Sequence, residues 1–425
     1  MKVYKIIPIV GAAMMLAGCA GIWPTAQEAS VIQTETEPEE IVEEEEALIN
    51  EGNVLTNSIG YETGAQKLVI FRGDCKTELF EVINGETEEV IYRGTILEKE
   101  YNSKSEEYAA YGDFSKVTEA GEYYVRAGEY GISDTFRISP TLYGELLKEQ
   151  IAYFKQQTDE HEEADAAIKA ADILLSYTYF ESLYVEPDSE ELPEILEEAK
   201  KELDILLQSK KKSGLAVAAL AMSVDVFAPF DQEYSTECLT RAETDFADLK
   251  EEKTVDEMYW AAAELYKLTG KKEYAAVIDY YLERKDPQGF GKTAVGYYGT
   301  LAYLTTTHKT DVDTCTRLME ALFNDAIAIV EQSSADGYKI SVSDNYKEED
   351  SESLLQNARL LTLMNIISKS KDYVLGVDNH LDYLCGRNPF ETCYLNRENE
   401  MYGKESFIFI LSGLVDAYES EETEQ

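Results

Sequence analysis

The chain has 425 residues, with 38 lysines and arginines against 83 aspartates and glutamates, for a net charge of −45. That balance excludes a protein held to nucleic acid by its own basic surface, because phosphate binding needs clustered cations that release counterions. A hydrophobic fraction of 44% in a chain of this length supplies one large core or two unequal ones.

Lys2 and Lys5 precede the apolar run 6–17, which fits the charged and apolar regions of a secretory signal. The run is shorter than a spanning helix requires. It ends in Leu16-Ala17-Gly18-Cys19, which resembles a bacterial lipobox. The resemblance implies that Cys19 is lipidated and becomes the mature N-terminus. Residues 1–19 are thus expected to be a lipoprotein signal, and the protein to be exported, facing outward and held to the membrane by lipid alone. Between Glu28 and Glu51 stand ten glutamates and no lysine or arginine, with Pro38 among them. Such a run cannot bury enough apolar surface to order itself, so 20–52 reads as a self-repelling tether.

From 53 to 139 the pattern has period two, with short apolar runs separated by turn signals. Stretches 67–71, 78–83, 121–127 and 134–138 read as strands, and Asn84-Gly85 as a two-residue type I′ hairpin turn. Several strands in so short a span predict a small Ig-like β-sandwich.

From Thr141 the period becomes 3.6. Leu192, Ile195, Leu196, Ala199, Leu203 and Leu206 form one stripe, with Pro193 suited to a helix start. Leu215 to Phe227 is apolar nearly all round, as in a fully buried helix. Helices are predicted over 141–157, 163–181, 192–209, 214–228, 232–249, 255–269, 272–283, 291–307, 311–332, 352–368, 371–385 and 404–418. An even dozen with short connections suits a double ring, and periodicity equally allows an open solenoid. The helical region is expected to span 140–420, followed by an acidic tail at 421–425. The six cysteines make no CxxC pair, and His161, His308 and His380 lie far apart, so neither a metal site nor a cofactor is expected. The acidic stretch 344–350 reads as a solvated turn rather than a calcium loop.

Asn57-Ser-Ile-Gly-Tyr61, Tyr111-Gly-Asp-Phe-Ser115, Ala120-Gly-Glu-Tyr-Tyr124 and Ser133-Asp-Thr-Phe-Arg-Ile138 are similar to segments of glycoside hydrolase family 9, the cellulases. So are Leu192–Ala199, Asp256–Tyr266 and Gln356-Asn-Ala358. The most specific stretch is His380-Leu-Asp-Tyr-Leu-Cys-Gly-Arg-Asn-Pro389, which resembles the family's "YxLGxNP" segment. The resemblance runs from Asn57 nearly to the C-terminus. It implies an Ig-like β-sandwich followed by an all-α (α/α)6 toroid.

The family's inverting chemistry needs an acid that protonates the leaving oxygen and an opposed carboxylate that activates water, roughly 6.5–9.5 Å apart. The resemblance makes Glu405 the matching acid; a first-turn acid favoured by the helix dipole is the plain alternative. The family's "DAGD" base motif is missing, and Thr158-Asp-Glu-His-Glu-Glu-Ala-Asp165 stands in its place. There Glu162 and Asp165 have the separation of a degenerate remnant, and equally of solvated first-turn acids behind a cap at Thr158 or Asp159. The substrate-gripping "HKV" and "HHR" loops are also absent, with Arg397 the cation that stands nearest the latter. Tyr394, Tyr402, Tyr297 and Tyr298 are candidate sugar platforms. Trp260 lies on a helix stripe and reads as core.

The sequence therefore leads us to expect a surface lipoprotein of the cellulase type, directed at a polysaccharide or oligosaccharide of the β-glucan class, with hydrolysis weak or lost. The alternative is a pseudoenzyme that binds a glycan or a cell-surface protein.

Overall fold

The computed structural model describes residues 50–155, 163–185, 191–249, 255–291, 294–342, 344–396 and 404–424. The signal, nearly all of the tether, and Cys19, Glu162, Arg397 and Tyr402 lie outside the described residues. The chain divides into two compact units: one takes in 163–171 and 200–322, the other the β-region through 155 with 172–199 and 323–424.

The second unit opens with ten strands: β1 (Val54–Leu55), β2 (Gly60–Glu62), β3 (Leu68–Arg72), β4 (Leu79–Asn84), β5 (Val90–Thr95), β6 (Leu97–Asn102), β7 (Glu107–Asp113), β8 (Gly121–Ala127), β9 (Gly131–Ile132) and β10 (Phe136–Ser139). They form two sheets, ordered β1-β3-β7-β6 and β2-β10-β8-β4-β5, with β9 on β8. Between the sheets sit Val69, Phe71, Phe80, Val82, Val125 and Ile138. Tyr61 is packed edge-on against Phe114 and Phe136, at 5.4 and 5.3 Å. β2 runs parallel to β10. There Gly60 has φ +130°, and a Cβ would stand 2.0 Å from the Arg137 carbonyl oxygen, so only glycine fits.

The turn after β4 differs from expectation. Asn84 does not sit inside a two-residue turn; it begins a five-residue one, its Oδ1 accepting from the amides of Glu86 and Thr87 at 2.9 and 3.0 Å. The left-handed residue is Glu88, at φ 58°. An asparagine that caps its own turn leaves no need for the Asn-Gly pair at the tip.

Twelve α-helices follow among the described residues: α1 (Leu142–Phe154), α2 (Glu163–Phe180), α3 (Glu194–Gln208), α4 (Gly214–Phe227), α5 (Gln232–Asp248), α6 (Asp256–Thr269), α7 (Lys272–Leu282), α8 (Gly296–Thr305), α9 (Val312–Ala335), α10 (Ser351–Ile367), α11 (Lys371–Leu384) and α12 (Glu405–Glu424). Their starts follow local chemistry. Ser213 caps α4 by accepting from Ala216 N at 3.2 Å, and Asp231 caps α5 by accepting from Tyr234 N at 2.9 Å. Gly270, left-handed at φ 64°, ends α6. The chain ahead of α8 is a local Gly291–Ala294 bridge rather than helix, so α8 starts later than its apolar pattern suggests.

In the first unit α4 packs on α5 and α6, and α6 on α7 and α8. In the second, α1 packs on α12, and α10 on α11 and α12. Sequence neighbours pair in α4–α5, α6–α7 and α10–α11, while α4 with α6, α6 with α8, and α12 with α1 and α10 pack across intervening helices.

Candidate functional site

Glu405 is the first residue of α12, a position the helix dipole favours for an anion. Its side chain is half-buried. The rest of the helix explains why it is held there. Phe407, Ile408, Phe409, Ile410 and Leu411 are all buried, so α12 is gripped on every side. Gly413 lets α10 approach closely, since a Cβ would lie 2.3 Å from Thr362 Cγ2.

Charged residues surround this helix start within the second unit. Lys404 Nζ meets Glu352 Oε2 at 3.4 Å. Ser406 Oγ donates to Asp172 Oδ2 at 3.5 Å, and Asp172 Oδ1 accepts from the Arg359 guanidinium. Asp172 is 0% and Arg359 1% exposed, so this is a fully desolvated ion pair. Neither was among the sequence candidates. Both interrupt apolar runs at positions that turn inward, and that was the available signal.

The loop that follows α11 is built by Asn388. Its Oδ1 accepts from Phe390 N at 3.0 Å and Thr392 N at 3.2 Å, while its Nδ2 donates to the Tyr383 and Thr392 carbonyls, each at 2.7 Å. Tyr394 ends up buried, its hydroxyl donating to Glu348 O at 3.1 Å. Its ring is therefore packed, not open as a platform.

In the first unit α2 begins with Glu163, whose carboxylate accepts from the Ser209 hydroxyl, and Asp165 is half-buried in the same turn. Tyr297 and Tyr298 are buried on α8. Tyr298 stacks on Trp260 at 4.6 Å and meets Phe290 at 4.6 Å, which corrects its reading as a sugar platform: the ring is core. Trp260 is core too, as its stripe position predicts, with Nε1 donating to Glu264 at 3.2 Å.

A second polar centre lies where the sandwich meets α1, α11 and α12. Asp378 accepts from the Tyr143 hydroxyl at 2.8 Å and from the Tyr418 hydroxyl. Asp382 accepts from Asn57 Nδ2 at 2.8 Å and Arg387 Nη1 at 3.0 Å. Burial pushes Asp378 up to about 7 and Asp382 up to about 6, the latter against the pull of Arg387. Lys67, buried beside them, is pushed down to about 8 by burial while donating to the Thr63 and Ala65 carbonyls. His380 is likewise driven down to about 4 by burial, its Nε2 accepting from Ser341 N at 3.3 Å. These groups join segments of the chain rather than line an opening.

An open groove of about 420 Å³ lies between the β6–β7 edge and the turn after α9. Tyr101, Tyr111 and Asn102 line it, with Lys104 paired to Asp336 at 2.8 Å on its floor. Tyr101 is 58% exposed.

Residues 50–131 match the cellulase N-terminal ig-like domain, and residues 208–406 match glycosyl hydrolase family 9. Endoglucanase D of Acetivibrio thermocellus is 20% identical over 496 residues, covering 90% of this chain and 75% of that protein. A metagenome-derived glycoside hydrolase family 9 endoglucanase superimposes with a TM-score of 0.71 at 19% identity, covering 80% of this chain and 84% of that one. The structure of AaCel9A in complex with cellobiose-like isofagomine gives 0.66 at 19% identity over 80% of this chain and 84% of that one. At such identities the likeness speaks to the fold: an Ig-like β-sandwich followed by an all-α (α/α)6 toroid.

Proposed function

We propose that this chain, a relative of the family 9 glycoside hydrolases with a cellulase-type Ig-like domain, is displayed outside the cell and engages saccharides of the β-1,4-glucan class, hydrolysing them slowly if at all. The observation that carries this is Glu405, a half-buried carboxyl at the head of a helix whose next six residues are all buried, where the family resemblance puts the proton donor. In that role Glu405 gives its proton to the leaving oxygen while an opposed carboxylate draws one from water, inverting the anomeric centre. Asp165 is the described candidate for the second part. The first turn of α2 that carries it has no motif of paired aspartates, and a single misplaced base costs a general acid–base mechanism about 10²–10⁴-fold in rate. Slow turnover follows from that asymmetry. The cellobiose-like isofagomine in complex with AaCel9A supports the saccharide class. Display at the surface rests on Lys2, Lys5 and the lipobox ending in Cys19.

The test is reducing-sugar release from amorphous cellulose, mixed-linkage glucan and xyloglucan, beside Glu405→Gln. Release that drops at least about a hundredfold in the variant assigns the acid. Release that is equal in both proteins removes Glu405 from the mechanism.

A second reading, a non-catalytic protein that binds a glycan or a cell-surface protein, is favoured by the groove edged by Tyr101 and Tyr111, where rings and hydrogen-bonding groups stand together. Retention on immobilised glucan without release, lost on Tyr101→Ala, selects this reading.

A further inference from the structure

Cys385 caps the end of α11, and Cys393 stands across the Asn388 turn from it. The two residues pair as an isolated antiparallel bridge. The flanking bond from Tyr394 N to Leu384 O, at 2.7 Å, marks them as a non-hydrogen-bonded pair. Residues so placed have α-carbons about 4.5 Å apart, inside the range of about 4.4–6.8 Å that a disulfide spans. The two thiols are close enough for each to perturb the other's ionisation. The frame is fixed on the Cys385 side, because Ser58 holds the Cys385 carbonyl through its amide at 2.9 Å and its hydroxyl at 2.8 Å. Cys75, Cys238 and Cys315 form no such bridge among the described residues.

We propose that Cys385 and Cys393 are a redox pair that closes into an intrachain disulfide and locks the 386–392 turn onto the end of α11. The two thiols have different parts. Cys393 is half-buried and is brought down to about 7, chiefly by the neighbouring Cys385 thiol, so it supplies the thiolate. Burial holds the Cys385 thiol well above its ordinary range. With a small-molecule disulfide as oxidant, the Cys393 thiolate attacks one sulfur and expels a thiolate, leaving a mixed disulfide. Cys385 then loses its proton to the expelled thiolate and attacks Cys393 Sγ, releasing the second thiolate. Two protein thiols are oxidised and one external disulfide is reduced to two thiols. The inference stands on the bridge alone and is independent of the saccharide reading.

The full chain, equilibrated with oxidised glutathione, is blocked with N-ethylmaleimide under denaturing conditions and digested with trypsin without reductant. Cleavage after Arg387 separates the two cysteines, so a link appears as two joined peptides that dithiothreitol parts. The joined species is expected to replace both alkylated peptides, with two thiols lost from the titration, and to vanish in Cys393→Ser. Cys385→Ala is expected to slow alkylation of Cys393 at pH 7 about tenfold, the ratio of thiolate at a pKa near 7 to that of an ordinary cysteine. An unfolded variant would expose the thiol and react faster, so the sign separates the two causes. Both cysteines recovered alkylated after oxidation, glutathione alone on Cys393, or a link to another cysteine each overturns the proposal.

Discussion

Replacing Asp172 by asparagine keeps one oxygen acceptor for Arg359, turns an amide N–H toward Ser406 Oγ, and removes the charge that answers the guanidinium. The pair is 0% and 1% exposed, so solvent cannot take over, and the relevant cost is that of breaking a buried ion pair, about 3–5 kcal/mol, rather than the 0–1 kcal/mol of a surface one. Because the acceptor survives, the lower end, about 3 kcal/mol, is expected. In a cycle of the unaltered protein, Asp172→Leu, Arg359→Met and the joint change, the joint change removes both desolvation costs and is expected to recover most of the loss of either single variant, giving a coupling of about 2–3 kcal/mol. Urea unfolding followed by far-UV circular dichroism reads these four proteins and Asp172→Asn at a common slope. A cost under about 1 kcal/mol for Asp172→Asn would refute the reasoning, since it would mean that water reaches the pair.

Other expectations follow from the same accounting. The folded-state value of Asp378 is raised, so the stability it contributes is present at low pH and is lost as pH rises from about 4 through about 7. Urea midpoints at pH 4, 6 and 8 should therefore show the protein losing up to about 4 kcal/mol relative to Asp378→Asn across that window, and a constant difference would contradict the burial of this carboxyl. His380 works in the opposite direction, losing stability as pH falls from 6.5 through about 4, and cancels from that comparison because both proteins retain it. Gly60→Ala meets a backbone oxygen and a forbidden φ together, and should cost at least about 1–3 kcal/mol in the same denaturation; an unchanged midpoint would argue against the parallel β2–β10 pairing.

The helices were legible because their burial has one-dimensional signatures. α3 shows its stripe, α4 is apolar on every face and is buried on nearly all of them, and Ser213, Asp231 and Gly270 punctuate as their chemistry dictates. The strands were only partly so. β6 is an edge strand whose Glu98, Lys99 and Glu100 all face outward, so it carries no alternation to read. At the candidate site, Glu405 stands out in the sequence by its place before an apolar helix. The Asp172–Arg359 pair could not be read there, because its partners are 187 residues apart and only the fold brings them together. Nor could the fate of Tyr298, since its neighbours Trp260 and Phe290 come from two other segments. Composition offers tyrosines, and packing decides which of them meet solvent.

The bond from Asn57 to Asp382 crosses 325 residues, and Lys67 and Tyr61 stand in the same electrostatic neighbourhood. A lineage that discarded the sandwich would strip Asp382 of its asparagine and leave two carboxyls under α1 and α12 facing unfilled space. The N-terminal module is in that sense a lodger that has become a wall: gene rearrangement can move the two parts together, but parting them demands simultaneous repair of residues at both ends of the chain.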